Sequence, residues 1–233
     1  MEVIITGTGS GIGKALAEHY LELGHKVIGI SRKNTIAHSN FVFLEKDLLT
    51  TADFDWLKSY VSFESELLLI NNAGMLGSLE RISEQAHSDI NDVITLNTIR
   101  PMQLCQFVLQ MLPISISLTI VNISSGAGKR PIAGWASYCS SKAALDLFSQ
   151  TIALEEMERG RKLKVYSVAP GVVDTPMQLQ IRNADETSFS AVGNFKEIYE
   201  KGELTNVSDL VKKFQRLMDV PYDGKVIQSL REF

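Results

Sequence analysis

The chain has 233 residues, 45% of them apolar and 21% charged, enough to bury a sizeable core within one α/β domain. Its 23 basic and 27 acidic side chains give a net charge of -4 with no basic run and no acidic tail. That balance argues against nucleic acid or an anionic membrane as partner and leaves a small soluble molecule.

Two cysteines, Cys105 and Cys139, lie in no CxxC or Cys/His cluster, which argues against a disulfide framework and structural zinc and fits a reducing compartment. The first strand-like residues begin at Val3, so no signal or transit peptide is expected. No apolar run approaches the ~18 to 20 residues of a membrane span, so a cytoplasmic protein is expected.

Val3-Ile4-Ile5 is a β-branched run that stops at Thr6-Gly7-Thr8-Gly9-Ser10-Gly11-Ile12-Gly13, and Lys14 to Leu23 carries helical spacing. Strand, glycine turn and helix in that order form the context in which a glycine motif holds a dinucleotide. Gly7 allows the sharp turn, Gly11 lets the backbone approach a pyrophosphate, and Gly13 lets helix and strand pack closely with the helix N-terminus facing the anion. A flexible turn that binds nothing is the bland alternative. The spacing Gly-x-x-x-Gly-x-Gly differs from the commoner Gly-x-Gly-x-x-Gly and points to a separate branch of nucleotide-binding enzymes.

Lys26 to Ile30 forms a second strand, and the place where NAD enzymes carry an acid for the ribose 2′-hydroxyl holds Ser31, Arg32 and Lys33. A guanidinium there can take a 2′-phosphate, so NADP(H) is favoured and NAD(H) is left open, although a basic surface turn would read the same way. Phe41 to Leu44 is the third strand, closing in Glu45-Lys46-Asp47-Leu48. Asp47 can accept from an adenine amino group, cap a helix expected over Ala52 to Phe63, or do both. Leu67 to Ile70 follows as a strand and ends in Asn71-Asn72-Ala73-Gly74.

Strands and helices alternating at this length imply a doubly wound, mostly parallel sheet of about seven strands with ligands at the strands' carboxyl ends. Ser83 to Met111 reads as a short helix then a long one, with Pro101 as a candidate kink. Asn97 lies inside it, where an asparagine is usually solvated. After a loop over Pro113 to Ser117, the strand Leu118 to Ile123 delivers Ser124 and Ser125. A glycine-rich loop, Gly126 to Gly134, leads into a helix with Trp135, Tyr138 and Lys142 that runs to about Met157. Its Leu145, Phe148, Ile152 and Leu154 give an apolar surface broad enough to serve both the core and a partner subunit. The strand Lys164 to Ala169 ends in Pro170-Gly171-Val172-Val173-Asp174-Thr175. The polar, less regular stretch 176–204 is expected to form a substrate lid, and a helix from Ser208 to Met218 and a strand from Lys225 to Gln228 finish the chain.

Tyr138 and Lys142 are one helical turn apart, and an apolar strand brings Ser125 to the same edge. Such a set moves a proton to a carbonyl oxygen. A tyrosine with an unperturbed pKa of about 10 holds its proton too tightly to act as a base near neutrality, and Lys142 beside it is expected to lower that value. An isolated Tyr-x-x-x-Lys is more often a half-buried tyrosine with a solvated lysine, but the glycine turn and Ser125 accompany it here. Met75, Trp135, Met177 and Phe189 serve either core or pocket. His19, His25, His38 and His87 have no metal spacing and are expected at the surface.

Together these residues resemble the short-chain dehydrogenase/reductases over essentially the whole length. Thr6-Gly7-x-x-x-Gly11-x-Gly13, Asn71-Asn72-Ala73-Gly74, Ser125, Tyr138-x-x-x-Lys142 and Pro170-Gly171 come in that family's order and spacing. The resemblance implies a single Rossmann-type domain over 1–233, with Tyr138 as acid/base, Ser125 steadying the substrate oxygen, Lys142 on the nicotinamide ribose and Asn97 completing a proton relay. It further implies that Thr8, Ser10, Ile12, Leu48, Asn72, Ala73, Gly74, Pro170, Gly171, Val173 and Thr175 join Gly7, Gly11, Gly13, Ser31, Arg32 and Asp47 around the cofactor, Thr175 at the nicotinamide carboxamide. A homodimer or homotetramer is implied, paired through the helices that carry Asn97 and Tyr138.

The wording Val121-Asn-Ile-Ser-Ser-Gly-Ala-Gly-Lys, Gly134-Trp135, Ala153-Leu154-Glu155 and Pro170-Gly-Val-Val-Asp-Thr resembles the sepiapterin reductase and bacterial benzil reductase group. Sepiapterin reductases anchor the pterin with an aspartate near the position of Gln228, so the departure leans toward an aromatic ketone or 1,2-diketone. Arg100 replaces a residue usually small in the family. Two other classes stand as alternatives: a non-catalytic NADP(H)-binding sensor, expected to lose Tyr138 or Lys142, and a sugar-nucleotide epimerase, expected to carry a longer C-terminal substrate domain.

Overall fold

Seven short runs rich in Val, Ile and Leu pair into one wholly parallel sheet in the computed structural model, which describes all 233 residues. They are β1 (Glu2–Thr6), β2 (Lys26–Ser31), β3 (Phe41–Glu45), β4 (Leu67–Asn71), β5 (Leu118–Ile123), β6 (Leu163–Ala169) and β7 (Ile227–Ser229), in the order β3-β2-β1-β4-β5-β6-β7. Every residue of β1 and β4 is buried, which explains why these strands read as continuous apolar runs with no alternation. The strand order reverses between β1 and β4, and a crevice opens at that point outside the carboxyl ends.

Helices α1 (Gly11–Glu22) and α7 (Val207–Asp219) cover one face through Leu16, Tyr20, Leu210 and Phe214. Between them in sequence run α2 (His87–Ile94), α3 (Arg100–Met111), α4 (Ala136–Glu158), α5 (Pro176–Arg182) and α6 (Val192–Glu200). The opposite face is filled by Leu104 and Val108 of α3 and Ile152 of α4. A buried pair, Glu156 with Arg161 at 2.6 Å, fastens the end of α4 to α3, because the Arg161 guanidinium also donates to the carbonyls of Leu109 and Leu112. No helix is long and apolar enough to cross a membrane.

Three expectations change. The helix over 52–63 is absent, and only a 3₁₀ turn, Asp55–Ser59, forms. Phe54, Leu57 and Val61 are buried at helical spacing, but tertiary hydrogen bonds take the following backbone. Lys26 Nζ donates to the Tyr60 carbonyl at 2.7 Å, and the Ser62 N–H and hydroxyl both donate to Glu2 at 2.9 Å. Phe63 then turns away at φ 54, a conformation no helix uses.

The second change concerns Asn97, which is fully buried within a π-helical turn, Thr95–Ile99, between α2 and α3. Pro101 has no N–H to give the carbonyl four residues back, which is that of Asn97, so the regular ladder cannot continue there. The helical run also begins at His87, four residues later than expected. Third, the stretch 176–204 contains two helices, α5 and α6, folded over a third apolar cluster that includes Leu76, Trp135, Tyr138, Ile181, Phe189 and Val192.

Candidate active site

A cavity of about 960 Å³ occupies the crevice. Its middle is built by the glycine turn between β1 and α1. Gly7 has φ +77, and a Cβ there would lie 2.8 Å from Asn72 Nδ2. A Cβ on Gly13 would lie 2.3 Å from the Gly7 carbonyl oxygen, so only glycine lets α1 approach the strand this closely. The Thr6 hydroxyl accepts from the N–H groups of Asn72 at 3.0 Å and Ala73 at 2.9 Å, which fixes the Asn-Asn-Ala-Gly turn against the glycine turn. Gly7, Gly9, Ser10, Gly11, Ile12, Asn72, Ala73 and Gly74 line this part.

One end is cationic. Ser31, Arg32, Lys33, Lys46, Asp47, Leu48 and Leu49 line it. Arg32 is exposed, while Ser31 Oγ is committed internally, donating to the Lys33 carbonyl at 2.7 Å and lying 3.3 Å from Thr8 Oγ1. Lys46 reaches the same rim because the parallel register sets Ser31 beside Glu45. Its ammonium lies 5.1 Å from the centre of the Trp56 ring. With the expected helix absent, Asp47 caps a turn, accepting from the Leu49 N–H at 2.9 Å.

The other end holds Met75, Leu96, Ile123, Ser124, Tyr138, Lys142, Pro170, Thr175, Pro176, Met177 and Gln180. Tyr138 and Lys142 are 6% and 5% exposed. Burial pushes the Tyr138 phenol up to about 12, the Ser125 hydroxyl acting in the opposite sense. Burial pushes the Lys142 ammonium down to about 8, against the pull of the Asp146 carboxylate. The expected lowering of Tyr138 by Lys142 is not seen among the protein's own groups: Lys142 Nζ donates to the Ile123 carbonyl at 2.8 Å, and burial dominates the phenol with only Ser125 acting to lower it.

Ser125 Oγ accepts from the Ala127 N–H at 3.1 Å, which fixes its rotamer. The amide of Asn97 is fully used. It accepts from the Met75 N–H at 2.9 Å and donates to the Met75 carbonyl at 2.8 Å and to Ser141 Oγ at 3.0 Å, clamping the cavity wall at Met75. Thr175 caps α5, accepting from the Gln178 N–H at 3.4 Å.

Some expected site residues stand behind the wall. Thr8 and Gly13 are packed under the glycine turn, Val173 belongs to the apolar core, and Gly171 lies against Arg231. Of the residues open between core and pocket, Met75 and Met177 line the cavity, whereas Trp135 and Phe189 stack on each other at 5.1 Å beneath α5 and α6. The buried amide of Gln228 donates to the Lys225 carbonyl at 2.7 Å, away from the cavity. His38 and His87 are exposed, but His19 and His25 are half-buried, His19 bonding Gln215 at 2.9 Å. No three His, Cys, Asp or Glu side chains gather to hold a metal. Lys46, Leu49, Leu96, Pro176 and Gln180 went unnoticed in the sequence; for Lys46 the parallel pairing of β2 with β3 was the signal.

Residues 2–186 match the family model for short chain dehydrogenase. A benzil reductase ((S)-benzoin forming) of Bacillus subtilis is 34% identical, covering 99% of this chain and 98% of its own. A sepiapterin reductase of Bos taurus is 34% identical over 65% of this chain and 57% of its own. A solved short chain dehydrogenase/reductase of Saccharomyces cerevisiae, 26% identical, aligns with a TM-score of 0.81 over 98% of this chain and 95% of that one. The chain therefore belongs to the short-chain dehydrogenase/reductase family, is similar to its benzil and sepiapterin reductases, and is an oxidoreductase acting on CH–OH and C=O groups.

Proposed function

We propose that the protein is an NADPH-dependent carbonyl reductase acting on an aromatic ketone or 1,2-diketone. The observation that carries this reading is the polarity of the cavity: Arg32, Lys33 and Lys46 at one end, a buried Tyr138 with Met75 and Met177 in the lining at the other. The residues fit a dinucleotide, since the cradle between Gly7 and Gly13 excludes side chains and the cationic end suits a 2′-phosphate. When bound, the reduced nicotinamide supplies a hydride to the carbonyl carbon. Tyr138 gives its proton to the oxygen as negative charge gathers there, and Ser125 donates a second hydrogen bond that strengthens as the alkoxide forms. Lys142 holds the ribose hydroxyls, Asn97 keeps Met75 and the proton path in place, and the two methionines exclude water.

The segment 176–204 serves as the substrate lid. The cavity around Tyr138 carries no carboxylate for a pterin, which favours a diketone over sepiapterin as substrate. Retention of both Tyr138 and Lys142 favours an enzyme over a sensor. The free cysteines fit a cytoplasmic setting, and the exposed Leu147, Leu154 and Met157 of α4 fit a homodimer or homotetramer.

Oxidation of NADPH and of NADH against 1,2-diketones, quinones, simple ketones and sepiapterin tests the reading directly. Arg32→Ala is expected to raise the KM for NADPH roughly 10- to 100-fold, the loss of a charged hydrogen bond, and to leave NADH nearly unaffected. Equal rates with both cofactors in the parent protein would overturn the role of Arg32. The pH profile follows from Lys142, whose charge is kept below about 8 and lost above it. Because Tyr138 keeps its proton up to about 12, kcat/KM for reduction is expected to hold through neutrality and fall as pH rises through about 8. A profile that stays flat well beyond that point argues against a charged Lys142 in the reaction.

A further inference from the structure

We infer that Arg100 is a positioning residue for the adenine end of the dinucleotide, an inference that rests on the NADP(H) reading above. Arg100 opens α3 immediately after the π-helical turn. Its guanidinium donates outward to two successive carbonyls of a different segment, from Nε to Leu48 at 2.6 Å and from Nη2 to Leu49 at 3.0 Å. Gln103 Oε1, at 2.7 Å from Nη1, fixes the third edge of the fork. Asp47, Leu48 and Leu49 form one wall of the cationic end of the cavity.

That wall needs an external hold. No α-helix follows it; the next regular structure is the 3₁₀ turn at Asp55–Ser59. Within the turn itself, Asp47 alone supplies acceptors, its carboxylate to the Leu49 N–H and its carbonyl to the Thr51 N–H, both at 2.9 Å. The carbonyls of Leu48 and Leu49 are taken by Arg100. A planar fork with donors at fixed angles can span two adjacent carbonyls, which a lysine ammonium cannot do in the same geometry.

Arg100 also belongs to the helix junction whose Leu96 lines the cavity and whose Asn97 clamps Met75. The same short stretch thus sets the adenine wall through Arg100 and the substrate wall through Asn97. Arg100 touches neither Tyr138 nor Lys142, so its loss acts on ligand binding through the ordering of the 47–49 turn and leaves the proton transfer intact.

The test is titration calorimetry of the parent, Arg100→Met and Arg100→Lys with NADPH and with 2′,5′-ADP, an adenine-bearing fragment without nicotinamide. Arg100→Met is expected to weaken both ligands by the same factor, roughly tenfold, the size of losing the preorganisation of one short turn. KM rises alike for NADPH and NADH, in contrast to Arg32→Ala, while kcat at saturating cofactor is unchanged. Arg100→Lys falls between the two. Should the methionine variant fail to fold, the lysine variant carries the test and must still weaken 2′,5′-ADP. Parental affinity of the folded variant for 2′,5′-ADP, or a loss confined to kcat, overturns the inference while leaving the dinucleotide reading intact. Failure of the parent itself to bind NADPH overturns both.

Discussion

Tyr138→Phe is expected to lower kcat for carbonyl reduction by roughly 10²- to 10⁴-fold, the usual weight of a positioned proton donor, while NADPH binds as in the parent. The substitution removes one hydroxyl and keeps the ring. The ring packs edge-on against Trp135, with centroids 5.3 Å apart, and under Lys142 Nζ at 5.8 Å, and phenylalanine keeps the same packing. The site is buried, so water has poor access to substitute for the missing donor. Single-turnover mixing of NADPH-loaded protein with a diketone measures the step, and a fluorescence titration checks cofactor binding. A variant that keeps most of the parental rate would remove Tyr138 from the reaction and leave Ser125 to be tested next.

Phe189→Ala is expected to destabilise the protein by about 3–5 kcal/mol, the range for truncating a buried phenylalanine. At about 2–4 °C per kcal/mol for a chain of this size, the melting temperature falls by on the order of 10 °C. Phe189 has no exposed surface, stacks on Trp135 at an interplanar angle of 16° and lies 6.0 Å from Phe195. The cluster does not belong to the proposed lid alone, because Trp135 and Tyr138 are anchored by α4. Its loss is therefore felt by the body of the protein as well as by α5 and α6. A melting temperature within a degree or two of the parent would mean that 176–204 opens independently of the sheet, and KM for the carbonyl substrate would then move without any change in stability.

How far such a site can be read ahead depends on whether its signals are local. The glycine turn, the seven strands and the pairing of Tyr138 with Lys142 rest on residues a few positions apart, and each was legible. The 3₁₀ turn at Asp55–Ser59 was not, because Phe54, Leu57 and Val61 keep a helix's spacing while Glu2 and Lys26, distant in sequence, take the hydrogen bonds that would have continued it. Asn97 misled for a related reason: a mid-helix amide is solvated unless a neighbour needs it, and its neighbour, Met75, lies 22 positions away. The pKa values of Tyr138 and Lys142 depend on burial, which two residues on a helix do not reveal. Arg100 stood out in the sequence only as a departure, and its reason lies in two carbonyls 51 and 52 positions earlier.

The chain contains two tryptophans, and each packs behind a residue that lines an opposite end of the cavity. Trp56 lies beneath Lys46 at the cationic end, half-exposed, and Trp135 packs against Tyr138 at the other, buried. An indole in a dry apolar cluster emits at shorter wavelength than one touched by solvent. The molecule therefore carries two built-in lamps of different colour, one for each end of the cleft, and intrinsic fluorescence can report separately which end a ligand has filled.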